Sequence, residues 1–528
     1  MDLYKGFIHT DGRLLRDEND REYLLKGMAF GNNVWDNPSL PPYDTHHTKD
    51  SYRELAEMGF NSVRFYLNYG LFEDDSKPYE YKESGFEWID RNVEWAKENG
   101  MRIVLNMHYP QGGYQSQGGG TALWSDEENQ NRLIALWKAI AERYRDEPCI
   151  VGYGLLNEPV IPADDVWAGS RKWAELLNRM IKAVREADRN HIIFIEKILT
   201  FQNEETFELE WSRSNDEHNF ALSDDNYNAV YEFHFYNPYT FTHQGLSWSN
   251  TSEFNKIYPN EEDIFADGVS WHAGTFNGEQ CDLESRDWQY VESDRVTVTD
   301  DDQILSYVFQ AREIGENGAV YVDDIAITEF DSEGNRTRVV YASNFDKSCS
   351  MYFWASNNIG NGKFVSTKGR KRGGSYLVSG TTDDASGSVG FFRPVKNYSY
   401  QASGYFRIRS SSGEATIRPR VDIWKAESIS FLNKDFLEKN IKAYAEFSEK
   451  YNVPVYCGEF GTGTVSFTDD KGGDRWVSDV IDIFNKYRIS YNYHTYHEES
   501  FGLYMNSSLE PAANRNELLY EVLCRKNK

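Results

Sequence analysis

Glu158, in Leu155-Leu156-Asn157-Glu158-Pro159, and Glu459, in Cys457-Gly458-Glu459-Phe460-Gly461, each stand at the end of an apolar run. Each run reads as a buried parallel strand, so each carboxyl is expected at the carboxyl end of a strand, rigidly held and facing a cleft. Two carboxyls so placed can share one glycosidic bond. Hydrolysis with retention needs a carboxylate nucleophile and a protonated carboxyl that donates to the leaving oxygen, about 5 to 5.5 Å apart. Glu459 suits the first role and Glu158 the second.

The elements that must position them follow from the apolar pattern. Strand-like runs at residues 24–30, 61–67, 102–107, 150–156, 191–196, 229–235, 453–457 and 489–496 alternate with amphipathic helical stretches at 51–58, 86–99, 128–144 and 171–187. Such alternation is the pattern of βα units around a parallel sheet, and eight strands predict a (β/α)8 barrel. The rhythm breaks near Pro259 and resumes near Lys434. Between them lie short alternating strands, at 295–298, 304–309, 318–327, 337–341 and 375–378, separated by Gly, Asn, Asp and Ser clusters. These predict an all-β jelly-roll sandwich inserted in the loop after strand six, where barrels accept variation. The expected division is 1–261 and 428–528 for the barrel and 262–427 for the insert. Within the insert, Gly318 to Thr328 resembles the last strand of jelly-roll carbohydrate-binding modules, whereas Ser343 to Asp346 and Gly374 to Gly380 resemble the first. That order predicts a circularly permuted sandwich in which residues 331–338 join the former termini.

Composition narrows the function. A chain of 528 residues exceeds one ordinary core. The net charge of −28, from 84 acidic and 56 basic residues, argues against nucleic acid or an anionic membrane as partner and suits a neutral polymer. Aromatics, at 15% of the chain, are plentiful enough to line a sugar-binding surface. Cys149, Cys281, Cys349, Cys457 and Cys524 are scattered and odd in number, so neither a zinc site nor a disulfide framework is predicted. The adjacent His46 and His47 diverge on any regular element and suggest no metal pair. No apolar run is long enough for a membrane helix, and no export signal is present in the sequence.

With these motifs in place, the chain resembles glycoside hydrolase family 5, a clan of retaining (β/α)8 barrels with two catalytic glutamates. The resemblance covers about residues 1–260 and 430–528. It implies that Arg64, in Gly59-Phe-Asn-Ser-Val-Arg64-Phe-Tyr, holds the nucleophile ionised, and that His108, after strand three, hydrogen-bonds at the sugar subsite. Asn157 is matched to the sugar 2-hydroxyl, His234 to the neighbourhood of the acid/base, and Tyr236 to a hydroxyl donor for the nucleophile. Glu232, of the same parity as His234, reads as a further polar contact or a buried ion pair. The family usually carries a tryptophan floor at the end of strand eight; this chain has His494 there, predicting a more polar floor or a register moved to Tyr493 or Tyr496. Trp35 and Trp124 are candidate sugar platforms in the cleft. In the insert, Trp271, Trp288, Trp354 and Trp424 are candidates for stacking on sugars, with most expected in the core.

The expected function is that of a retaining β-glycosidase acting on a β-glucan, foremost a β-1,4-glucan, with mannan, xyloglucan and β-1,3-glucan as alternatives. A non-catalytic glycan-binding protein is the contrasting reading. No cofactor is required; Asp323 and Asp324 resemble positions near a structural calcium in related sandwiches. The chain is expected to be a monomer, secreted or periplasmic.

Overall fold

The computed structural model describes residues 6–35, 46–211, 220–223, 226–249, 251, 254–346 and 351–528. Cys349 lies outside the described residues, and among them Cys149, Cys281, Cys457 and Cys524 are free thiols. No helix among the described residues is long and apolar enough to cross a membrane.

Two compact units form, one from residues 1–259 with 437–528 and the other from residues 260–436. In the first, eight strands close into a barrel: β1 (Lys26–Phe30), β2 (Ser62–Asn68), β3 (Arg102–Tyr109), β4 (Ile150–Gly154), β5 (Ile192–Glu196), β6 (Ala229–Phe235), β7 (Val455–Phe460) and β8 (Ser490–Tyr493). Neighbours in sequence are neighbours in the sheet, every pairing is parallel, and β8 returns to β1, as the βα alternation predicts. The longer helices among the described residues are α1 (Lys49–Met58), α2 (Glu83–Glu98), α3 (Glu127–Tyr144), α4 (Val166–Ala187), α5 (Lys434–Tyr451), α6 (Gly473–Tyr487) and α7 (Glu517–Asn527). Their starts are fixed locally: Thr48 and Ser51 form a capping box on α1, and Asp126 and Asp165 cap α3 and α4.

Inward-facing residues alternate along the strands, and they change character with height. One layer is apolar, with Val104, Val151, Phe194, Val230 and Tyr456 in one buried cluster with Ile8 and with Leu15 of the small amino-terminal sheet that follows it. Further along the same inward faces come Arg64, Asn106, Glu196 and Glu232, all buried. Bulky branched residues usually fill such a layer. Here it is polar and charged, which burial tolerates only when the charges pair.

The second unit is a single antiparallel sandwich. A five-stranded sheet, with Gln303–Arg312 at its centre, faces a six-stranded sheet built around Ala319–Phe330 and Ser399–Ser410. Leu305, Tyr307 and Phe309 of one sheet and Val322, Ile327 and Phe406 of the other share one core. A two-stranded ladder joins Asn260–Asp267 to Ser428–Leu432, bringing the two ends of the unit together. That ladder is why the unit runs past residue 427, the expected end. Pairing is dominated by strands distant in sequence, and Ala319–Phe330 and Arg336–Ser343 form the hairpin expected at the former termini. The permuted connectivity stands as a proposal on that pattern.

One expectation for the insert is corrected. None of its four candidate tryptophans is in the core: Trp271 and Trp354 are 49% and 55% exposed, and Trp288 and Trp424 are half-buried. Tyr, Phe, Val and Ile fill the space between the sheets instead. Asp323 and Asp324 are already engaged by Arg370. Asp323 accepts from the backbone N–H of Arg370 at 2.6 Å, and Asp324 accepts from Arg370 Nε at 2.7 Å. The Arg370 guanidinium thus pairs with Asp324, and neither aspartate belongs to a described cluster with metal-ligand geometry.

Candidate active site

Arg64 of β2 is the hub. Its side chain is fully buried, and its three nitrogens spread over four partners: Nη1 donates to Glu459 Oε1 at 2.7 Å, Nη2 to Asn157 Oδ1 at 3.0 Å and Glu196 Oε2 at 3.4 Å, and Nε lies 2.9 Å from Glu232 Oε1. A buried, unpaired guanidinium would be costly, so these carboxylates are what allow it to sit inside the barrel. Their charges hold it protonated, well above its ordinary value, against the opposing effect of burial.

Glu459 faces the cleft because β7 is irregular. Tyr456 points into the barrel, so strict alternation would send Gly458 inward and Glu459 outward. The register skips there: Phe233 pairs with Cys457 and the next residue, His234, with Glu459. This bulge re-aims the carboxylate into the cleft. Gly458 is required at it, since a Cβ would come 1.7 Å from Glu232 Oε1. Glu459 then accepts three strong hydrogen bonds, from Arg64, from the Tyr66 hydroxyl at 2.7 Å and from the Tyr236 hydroxyl at 2.9 Å. Burial alone would raise its pKa; His234, His494 and Arg64 overcome it and hold the carboxyl well below the usual range.

Glu158 follows β4 on a backbone with φ of 43°, in the left-handed region that is unusual for a residue with a side chain. Its N–H donates to Glu196 Oε1 at 2.8 Å, and its own Oε1 lies 2.8 Å from His234 Nδ1. His234 Nδ1 is also 3.6 Å from Glu459 Oε2. Oxygen atoms of Glu158 and Glu459 lie within 4.8 Å of one another. A cleft with one carboxylate held ionised and a second beside an imidazole can carry out nucleophilic attack and proton transfer on the same bond.

Around this pair stand most of the other expected residues. Asn157 is buried between Arg64 and Ser116. His108 stacks on Tyr66 at 4.0 Å, and burial pushes it well below the ordinary imidazole value, so it is neutral at pH 7. His494, not Tyr493 or Tyr496, meets the site: its Nδ1 is 3.0 Å from the Tyr66 hydroxyl and 4.0 Å from Glu459 Oε2. The Tyr496 hydroxyl turns away to Glu54. Trp35, 40% exposed, packs edge-on against Tyr66 and His108 at the mouth.

Trp124 is not brought to this cluster. Its Nε1 donates to Gln115, its ring meets Trp173, and it lines a separate pocket of about 520 Å³ with Gln130, Lys172 and Arg179 of α3 and α4. The short helix Thr121–Ser125 that carries it packs on α3 and so turns the indole toward that groove.

Sequence reasoning missed Tyr66, Glu196 and Glu498. Tyr66 and Glu196 sit in apolar strands and read as core; their parity with Arg64 and with inward-facing Phe194 was the available signal. Glu498, near His494 Nε2 at 3.9 Å, lies beyond the last strand and left none. His46 and His47 join a buried chain ending on Asn92, behind the β1 loop. Among the described residues, two clusters have metal-ligand spacing, Glu158–His234–Glu459 and Glu196–Glu232–His234, and the Arg64 guanidinium already neutralises carboxylates of both.

Fold and site together define a (β/α)8 barrel with a two-carboxylate cleft at the carboxyl ends of strands four and seven. Residues 17–323 match the sequence profile of Cellulase (glycosyl hydrolase family 5), so the chain belongs to that family, as its motifs had implied. The matched stretch contains Glu158 and stops before Glu459. Among curated relatives, Endoglucanase C of Acetivibrio thermocellus is 35% identical over 211 residues, covering 40% of this chain and 56% of the relative. Cellodextrinase A of Ruminococcus flavefaciens is 26% identical over 254 residues, 47% of this chain and 68% of the relative. The chain thus spans about half the length of the first of these. A solved structure of a glycoside hydrolase aligns over 96% of this chain and 99% of its own, with TM-score 0.51 and 15% identity, a likeness of fold.

Proposed function

We propose that the protein is a retaining β-glycosidase that hydrolyses a β-glucan, foremost a β-1,4-glucan, by double displacement. The observation that carries this reading is the approach of Glu158 and Glu459 to within 4.8 Å, too close for a water to be activated between them as inversion requires. Glu459, ionised and held by Arg64, Tyr66 and Tyr236, attacks the anomeric carbon. Glu158 delivers its proton to the departing oxygen and then takes one from the incoming water. His108 and Asn157 suit hydrogen bonds to the sugar bound over Glu459, Trp35 suits stacking on a ring at the mouth, and His494 makes the floor polar. The relatives named as an endoglucanase and a cellodextrinase support a glucan backbone. Such a polymer lies outside the cytoplasm, which supports a secreted or periplasmic enzyme, acting as a monomer.

The test has two parts. Hydrolysis followed by proton NMR gives the β-anomer first if the mechanism is retaining. Glu459→Gln removes turnover while leaving the melting temperature near wild type, and Glu158→Gln lowers it roughly a hundred- to ten-thousand-fold on an unactivated glucan. Assays on β-1,4-glucan, mannan, xyloglucan and β-1,3-glucan rank the substrates. Binding of glucan without any hydrolysis would instead establish a glycan-binding protein.

A further inference from the structure

We infer that Glu196 is a positioning residue for proton transfer, the inner end of a carboxyl–imidazole–carboxyl chain that runs through His234 to Glu158. The inference rests on the glycosidase reading. Glu196 is the last residue of β5 and is buried. One of its oxygens, Oε1, accepts the N–H of Glu158 at 2.8 Å and stands 3.3 Å from His234 Nε2. The other ring nitrogen of His234 meets the Glu158 carboxyl at 2.8 Å. A single carboxyl therefore fixes both the left-handed backbone of the acid/base and the ring that touches its side chain.

The environment of the ring dictates where hydrogens go. His234 is faced by Arg64 from β2, Glu158 from the loop after β4, Glu196 from β5, Glu459 from β7 and Glu232 on its own strand. Nε2 looks onto oxygens of Glu196 and Glu232, and Nδ1 onto those of Glu158 and Glu459. Two protons occupy the chain, one between Glu196 and Nε2 and one between Nδ1 and Glu158. When Glu158 holds its proton, Nδ1 accepts from it, Nε2–H donates to Glu196, and Glu196 bears the negative charge. Loss of that proton to solvent would add a charge to a buried site that already contains Glu232 and Glu459, so the chain retains it to higher pH. Burial pushes Glu196 well above the usual carboxyl range, which favours keeping a proton on this chain. Burial alone would depress His234, but Glu196 and Glu459 push it well above the ordinary imidazole value.

During glycosylation the proton passes from Glu158 to the leaving oxygen as the glycosidic bond breaks and the bond to Glu459 forms. In the second half-reaction water supplies it back. Glu196 neither touches substrate nor gains or loses a proton overall. Its contribution is to the readiness of Glu158 as an acid.

The test is Glu196→Gln, whose amide oxygen can still accept from Glu158 N–H but cannot carry the charge. Two substrates are compared: an aryl β-glycoside with an activated leaving group, and a cello-oligosaccharide. The expected result is a kcat/KM loss at least roughly tenfold larger for the oligosaccharide, because only the poor leaving group needs acid assistance, with the basic limb of its pH profile moved to lower pH. Glu196→Asp, which keeps the charge but withdraws it by one methylene, should give a smaller discrimination and serves if the Gln variant fails to fold. Equal losses on both substrates, or an unmoved basic limb, would overturn the inference. Glu158→Gln is run beside them: if it discriminates between the leaving groups while Glu196→Gln does not, the glycosidase reading stands and this inference falls. If Glu158→Gln shows no discrimination, both fall.

Discussion

At the scale of single residues, the site turns on keeping a buried carboxylate charged. Burial favours the neutral form of Glu459, and the surrounding Arg64, Tyr66, Tyr236 and histidines reverse that preference. Tyr66 is the sharpest probe, since its hydroxyl donates to Glu459 Oε1, a bond that is stronger when the carboxyl is ionised, and its ring supports His108 and His494. Tyr66→Phe deletes one charge-assisted hydrogen bond, worth about 1.5 to 3 kcal/mol, so kcat/KM should fall roughly ten- to a hundredfold. The sign of the pH effect follows: the nucleophile must be ionised, its pKa is depressed, and activity therefore persists as pH falls through the ordinary value of 4.5. Removing a donor to the ionised form raises that pKa, so the acidic limb of kcat/KM should move to higher pH in the variant. An acidic limb that stays in place would show that Arg64 and Tyr236 suffice. Arg64, His108, Asn157, His234 and Tyr236 were named through the resemblance to the family, and the structure brings all five around Glu459 and Glu158. Tyr66 was not named, because a tyrosine in an apolar strand has the same pattern as a core aromatic.

At the scale of elements, the eight strands were legible because parallel strands buried on both faces are continuous apolar runs with sharp polar ends. The irregularities that aim Glu158 and Glu459 were not. Neither the left-handed turn at Glu158 nor the bulge at Gly458 has a periodic signature, although a glycine beside a catalytic glutamate is the kind of residue a bulge needs. Gly458 is where element and site meet, since a Cβ there would run into the Glu232 carboxylate that pairs with Arg64. Gly458→Ala should therefore do two things at once. Overpacking at the bulge should destabilise the barrel by about 1 to 3 kcal/mol, read as a lowered midpoint in urea. The displaced Glu232 should shift Arg64, so the folded variant should also lose kcat on the activated aryl glycoside. A variant of lowered stability with unchanged kcat would separate the bulge from the chemistry.

At the scale of the whole molecule, much of the long gap between Glu158 and Glu459 is a piece of chain with its own structure, residues 260–436. Its core draws on Cys281 to Ile423 alone, on both sheets of one sandwich, and the ladder between Asn260–Asp267 and Ser428–Leu432 holds its ends side by side. A segment that buries its own apolar residues and returns to its starting point has what an inserted domain needs for independent folding, and it leaves the eight barrel strands in unbroken spatial order. Residues 260–432 expressed alone should therefore fold, with a cooperative thermal transition and a near-ultraviolet circular dichroism signal from its tryptophans and tyrosines. The same fragment with Phe309→Ala, which empties one side of the contact with Phe406 at 5.3 Å between ring centres, should lose about 3 to 5 kcal/mol and melt far lower. A fragment that shows strand content without a cooperative transition would mean that the sandwich depends on the rest of the chain, and that the two units fold as one.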